Sequence, residues 1–287
     1  MTTPTQTDVV TRFHGTTIQH GPLNQRIYLM DLNGVAPGAV IPHLSQLAEA
    51  NQYTKIFAKV PASQVEPFFM AGYRQEARVK GFFHGQEDAA FLGLYLQDDR
   101  RTAANTAEID AVVKTAQRKR TSRPPPLDAP SGVRIRMCGE EDVEAMGRLY
   151  REVFPSYPFP IHDPEYLRET MQSHVVYFSA ELDGIIQALS SAEMDERNQN
   201  VEMTDFATRP EWRGRRLATH LLTRMEEEMR RREVLTAYTI SRAASHAINI
   251  TFSSLGYRYG GALLNNTNIA GQIESMVVWY KSLGPGE

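Results

Sequence analysis

Between residues 201 and 232 the hydrophobic period changes from two to about 3.6 across one short break. VEMTDFAT (201–208) alternates as a strand does, and the stretch from 217 carries Leu217, Leu221, Met225 and Met229 on one helical stripe. A strand running straight into an amphipathic helix needs a sheet face for that helix to cover, so the fold contains both element types in contact. The break itself is RPEWRGRR (209–216). Pro210 cannot donate to a ladder, so the strand ends near Thr208. Gly214 lets the backbone come close to a ligand. Arg213, Arg215 and Arg216 add positive charge where the first helical amides lack acceptors. Such a loop can hold a phosphate-bearing ligand, and it also describes a solvated basic turn.

The rest of the chain alternates in the same way. A short strand at 133–137 precedes a helix at 141–154. A second helix starts at Asp163-Pro164 as N-cap and N1. Residues 174–194 form a hairpin around Asp183-Gly184. A strand at 234–241, a helix at 244–255 stopped by Gly256, and a strand at 275–281 complete the order. This is an α/β (α+β) layout, a mixed central sheet flanked by helices. Three consecutive prolines separate an N-terminal module (1–120), a linker (121–132) and a C-terminal module (133–287). A helix at 106–119 closes the first module. KIFAKVP…GYRQEARVKG (55–81) echoes TAYTISR…GYRYGG (236–261), so the N-terminal module reads as a partial repeat of the C-terminal one, without the basic loop.

Bulk composition removes several function classes. A net charge of −3 speaks against a general nucleic-acid binder, and RKRTSR (118–123) is short enough to be a solvated linker. No apolar run approaches a membrane span, and the N-terminus lacks the pattern of a signal peptide. The single cysteine, Cys138, excludes an intrachain disulfide and fits a reducing cytoplasm as a structural thiol. The eight histidines show no metal-ligand spacing, so no metal is expected.

The segment VEMTDFATRPEWRGRRLATHLL, with INITFSSLGY after it, resembles the GNAT N-acetyltransferases, whose loop pattern is Arg/Gln-x-x-Gly-x-Gly/Ala. Arg213, Leu217 and Ala218 fall into place, and Arg216 stands where a glycine is expected. Lying just inside the expected first helical turn, Arg216 should have a negative φ and be tolerated. Over nearly the whole chain, through 19–30, 72–83 and 249–281, the resemblance is to the β-lysine N-acetyltransferases that make the compatible solute Nε-acetyl-β-lysine. It implies acetyl-CoA as donor and a small diamino acid as acceptor; with the charge and hydropathy above, no nucleic-acid or membrane partner is expected, and a homodimer is left open. Acetyl-CoA would lie where strand 201–208 splays from strand 234–241, along backbone groups of Phe206, Ala207 and Thr208. Arg213, Gly214, Arg215, Arg216, Leu217, Ala218 and Thr219 would meet its phosphates, with Asn249 and Phe252 beside it. A backbone N–H would face the thioester oxygen, where charge develops when an amine attacks. Phe252 stands where the family commonly places a tyrosine acid, so no acid is assigned; Tyr257 and Tyr259 lie nearby in sequence.

An alkyl ammonium with a pKa near 10.4 is neutral in only about one molecule in 10³ at pH 7, so a carboxylate must take its proton. Glu202 and Asp205 are the candidates. Their odd separation places them on opposite strand faces unless a bulge intervenes, with Asp205 beside Val201, Met203 and Ala207. The resemblance maps the base to Glu202, leaving Asp205 as a substrate ligand or second candidate. For the acceptor, Tyr157 in PSYPFPIHDP (155–164) and Asn265, Asn266, Asn268 and Glu274 offer donors and acceptors, although LLNNTNIAG (263–271) is also an ordinary turn between strands. Other readings are an acetyltransferase for lysine or a polyamine, a CoA-binding module without catalysis, and a nucleic-acid adaptor.

Overall fold

The structure is a computed structural model and describes residues 8–120, 129–155, 157–269 and 271–284. The proline run of the expected linker lies outside these residues. The N-terminal part contributes β1 (Val9–Phe13), β2 (Thr16–Gly21), β3 (Arg26–Asp31), α1 (Pro37–Ala50), β4 (Lys55–Pro61), α2 (Glu66–Met70), β5 (Arg74–Phe83), β6 (Glu87–Tyr95), α3 (Asp98–Arg101) and α4 (Thr106–Arg118). The C-terminal part contributes β7 (Arg134–Met137), α5 (Val143–Val153), α6 (Pro164–Met171), β8 (Val175–Leu182), β9 (Ile185–Asp195), β10 (Asn200–Thr208), α7 (Leu217–Arg231), β11 (Thr236–Arg242), α8 (His246–Ser254), β12 (Arg258–Ile269) and β13 (Gln272–Ser282).

All thirteen strands belong to one sheet, in the order β1-β2-β3-β4-β6-β5-β12-β13-β11-β10-β9-β8-β7. The order reads alike from both ends. Each half steps from an antiparallel pair to one parallel pair, β3 with β4 and β10 with β11, then back to antiparallel. The echoed segments occupy matching places, β4-α2-β5 and β11-α8-β12. The halves join where β5 meets β12 at Ala77 and Gly261. A Cβ on Gly261, whose φ is +147°, would lie 2.1 Å from the Glu76 carbonyl oxygen, so only glycine permits this approach.

Helices cover both faces of the C-terminal half. On one face Leu217, Leu221, Met225 and Met229 of α7 pack with Phe252 and Trp279, all at most 2% exposed. Burying four such side chains contributes roughly 6–12 kcal/mol before entropy is counted. On the other, Val143, Met146, Leu149 and Leu167 of α5 and α6 pack on Val175, Tyr177 and Leu189. Asp163 caps α6 by accepting the Glu165 amide at 3.0 Å. A third core lies where the sheet turns upon itself: Tyr28, Phe57, Phe82 and Phe91 of the first half meet Tyr238, Met276 and Val278 of the second. The Phe82 and Tyr238 rings are 5.0 Å apart.

Two expectations change. Helix α4 does not finish the N-terminal core: Ile109, Val113 and Ala116 pack with α7 and α8, and the Ser253 hydroxyl donates to the Ala116 carbonyl at 2.6 Å. Core-facing periodicity identifies a buried face without saying which core it joins. Residues 263–269 are strand rather than turn; a register shift between Leu263 and Thr267, with Asn265 at φ +43°, lets β12 continue past the irregularity.

Candidate active site

Strand β10 is held on one side and open on the other. It pairs with β9 along most of its length, but with β11 only at Asn200, Val201 and Glu202. Beyond Glu202 the two parallel strands diverge, leaving a wedge bordered by backbone groups of Met203 to Thr208. That edge can pair with an extended amide-bearing ligand as another strand would.

A bulge sits in this edge. Thr204 pairs with Ser191 and Ala207 with Leu189, so Asp205 and Phe206 together oppose Ser190. Asp205 has φ +53°. The extra residue reverses the alternation. Val201 and Met203 face the α7 core, whereas Ala207 faces the α5 and α6 core. Asp205 therefore does not share a face with Val201 and Met203 as strict alternation requires; it turns to the side of Glu202. It is 6% exposed, and accepts hydrogen bonds from the Tyr157 hydroxyl at 2.5 Å and the Ser191 hydroxyl at 2.6 Å. Burial raises its carboxyl above the usual range, against these donors.

Glu202 stands in a row with Glu193 of β9 on one side and Tyr238 of β11 on the other. Two carboxylates directly opposite on one face repel each other. Burial pushes Glu202 up to about 7, opposed chiefly by the positive charge of Lys59 and then by the Tyr238 hydroxyl. Glu193 is raised well above its ordinary value by burial and by the charges of Asp205 and Glu202. A carboxyl near 7 can accept a proton from an ammonium at neutral pH. Sequence reasoning missed Glu193 and Lys59, because neither is visible until register and the turn of the sheet are known. Among the described residues no group of three His, Cys, Asp or Glu side chains is placed to hold a metal ion.

The basic loop lies at the broad end of the wedge. Arg213, Gly214, Arg215 and Arg216 are exposed, and Arg215 stacks over Trp212 at 4.6 Å. Arg216 is not inside the first turn. It caps α7 at φ +59°, ψ +23°, the left-handed region that a glycine adopts without steric cost. Its carbonyl accepts the Thr219 amide at 3.0 Å, so that amide is occupied, while the amides of Leu217 and Ala218 start the helix. The Leu217 side chain is core. Gly214 has φ +78° and open space where a Cβ would stand.

Other expected contacts serve the protein itself. The Asn249 side-chain carbonyl accepts from Ser241 at 3.0 Å and Trp279 at 2.8 Å, and its amide donates to carbonyls of Arg242, Ala243 and Ser245. Phe252 is fully buried between Phe206 and Tyr257. Tyr257 is fully buried and Tyr259 meets Trp279 edge-on, ring centres 5.6 Å apart. The Asn265 side-chain amide donates to the Arg100 backbone carbonyl at 3.0 Å, and the Asn265 backbone carbonyl accepts from Arg100 Nε at 2.6 Å. The Asn266 carbonyl accepts from Arg26 at 2.6 Å, and the Asn268 amide donates to Asn24 at 2.6 Å. Glu274 pairs with Arg242 at 2.6 Å. The three asparagines tie β12 to the N-terminal half, Glu274 ties β13 to β11, and Tyr157 alone of the expected acceptor contacts touches the Glu202–Asp205 side. Cys138 has its thiol pushed up to about 12 by burial, so it is not a thiolate at neutral pH.

A family model described as the acetyltransferase (GNAT) family matches residues 143–257, which include the wedge, the bulge and the basic loop. Beta-lysine N(6)-acetyltransferase of Methanococcus maripaludis is 38% identical over 92% of this chain and 95% of its own length. This chain belongs to the GNAT acetyltransferases. Beta-lysine N(6)-acetyltransferase of Methanosarcina mazei is 32% identical over 84% of the chain and 95% of its own length. N-acetyltransferase YodP of Bacillus subtilis is 31% identical over 93% and 95%. The donor of a GNAT acetyltransferase is acetyl-CoA, as the resemblance implies, and the features here fit it: an unpaired strand edge for an amide-bearing arm, then arginines and helix amides for phosphates. No helix among the described residues is long and apolar enough to cross a membrane.

Proposed function

We propose that this acetyltransferase acts on the side-chain amine of β-lysine, with Glu202 as the base. The observation that carries the chemistry is the bulge that gathers Glu202 and Asp205 on one face, beside Glu193, at the point where β10 and β11 part. Acetyl-CoA supplies an activated acetyl group when bound. Backbone groups of Phe206, Ala207 and Thr208 would align its arm, and Arg213 to Ala218 would hold its phosphates. Glu202 would accept the ammonium proton, and an amide freed by the bulge would donate to the oxygen that gains charge. Asp205 would fix the Tyr157 hydroxyl at the acceptor. The relatives named for β-lysine support the acceptor assignment. The product loses one ammonium and keeps one of each charge, as befits a compatible solute, and acetyl-CoA with a lone thiol suits the cytoplasm.

The test is CoA thiol release with β-lysine, α-lysine, spermidine or no acceptor. Release that is greatest with β-lysine supports the assignment. Preference for another amine replaces the acceptor. Acetyl-CoA binding without release for any amine points to a binding module.

A further inference from the structure

Four cationic side chains of the N-terminal half reach the interior, and three are engaged by protein oxygens. Lys55 pairs with Glu76 at 2.8 Å. Arg26 donates to the Asn266 carbonyl at 2.6 Å, and Arg100 to the Asn265 carbonyl at 2.6 Å. Lys59 is different. It lies on the face of β4 that carries Phe57, toward the core shared by the two halves. Its ammonium stands 5.1 Å from the Phe82 ring centre and 5.9 Å from that of Tyr238. Tyr238 is the register partner of Glu202. Among the described residues Lys59 forms no salt bridge, although its charge acts on Glu202 and Glu193. Aromatic faces thus hold a half-buried ammonium beside an acidic row, without a contacting counter-ion.

We propose that Lys59 forms the subsite for the carboxylate of the acceptor. This rests on the reading that the acceptor is an amino acid bearing a side-chain amine. The pocket then presents opposite charges to opposite charges: the carboxylates of the β9–β10 row face the ammonium groups, and Lys59 faces the carboxylate. A polyamine would bring a second ammonium toward Lys59 and leave its charge unanswered, which selects against it. The N-terminal half thereby contributes specificity to a reaction whose donor site lies in the other half.

The test compares wild type, Lys59→Gln and Lys59→Arg on β-lysine and on its carboxamide at about pH 9, where wild-type Glu202 is ionised, and reads the acid-to-amide ratio, because a change in Glu202 ionisation would move both substrates equally. Lys59→Gln should lower kcat/KM for β-lysine roughly 30-fold or more, the scale of removing one partner of a buried charge pair. The loss on the carboxamide should be at least about tenfold smaller, KM for acetyl-CoA should be unchanged, and Lys59→Arg should largely rescue the acid. Equal losses on acid and amide would overturn the subsite and leave Lys59 a support for Glu202. If wild type prefers α-lysine, the acceptor assignment fails alone, and the same acid–amide comparison on α-lysine decides the subsite. A wild type that prefers spermidine to every carboxylate-bearing amine overturns both.

Discussion

Replacing Glu202 by Gln keeps the shape of the site and removes its proton acceptor. With its carboxyl near 7, Glu202 is half ionised at pH 7 and almost fully ionised at pH 9. Wild-type turnover at saturating acetyl-CoA should therefore rise only about twofold over that range. The variant must wait for amine that is already neutral. For an ammonium of pKa near 10.4 that fraction is about 4 in 10⁴ at pH 7 and about 4 in 10² at pH 9, a rise of roughly 100-fold. The ratio of wild-type to variant kcat/KM should start at about 10²–10⁴ at pH 7 and shrink roughly 50-fold by pH 9. A thiol-release assay across pH 6.5–9.5, with acetyl-CoA affinity measured separately, gives both profiles. A ratio that stays constant with pH would refute proton acceptance by Glu202 and leave only a binding role.

Gly214→Val puts a β-branched residue at φ +78°, so acetyl-CoA affinity should fall at least tenfold by calorimetry while the unliganded fold survives. Arg216→Gly should relieve left-handed strain and raise stability to urea by about 0.5–1 kcal/mol. Asn249→Ala strips buried partners from Ser241 and Trp279 and should cost about 2–4 kcal/mol in urea unfolding, with KM for acetyl-CoA little changed in the remaining folded enzyme.

The strand–loop–helix at 201–231 was legible because its periodicity changes sharply, and the Asp163-Pro164 helix start because capping chemistry is local. The segments echoed at 55–81 and 236–261 form β4-α2-β5 and β11-α8-β12, at matching places in the strand order. Arg216 was misplaced by one position, from the first turn to the cap, since a left-handed cap occupied by arginine carries no local signal. The reversal at Asp205 was equally hidden: a bulge is set by pairing with β9, not by the residues that form it. Glu193 is brought opposite Glu202 by the β9–β10 register, and Lys59, far from both in sequence, is brought near by the closing of one half-sheet over the other, so neither is legible before pairing is known. The asparagines of β12 looked like ligands because amides suit ligands; the protein uses them to bind its own first half.

The union of β5 with β12 has a consequence for assembly. Two half-sheets meeting edge to edge in this way could have been separate subunits, and their association would then weaken on dilution. Here one polypeptide carries both, so the meeting of the edges is intramolecular and has a fixed effective concentration. The core in which Tyr28 and Phe57 of one half meet Tyr238 of the other, with Lys59 over the Tyr238 ring and Glu202 as its register partner, is thereby brought together within a single chain.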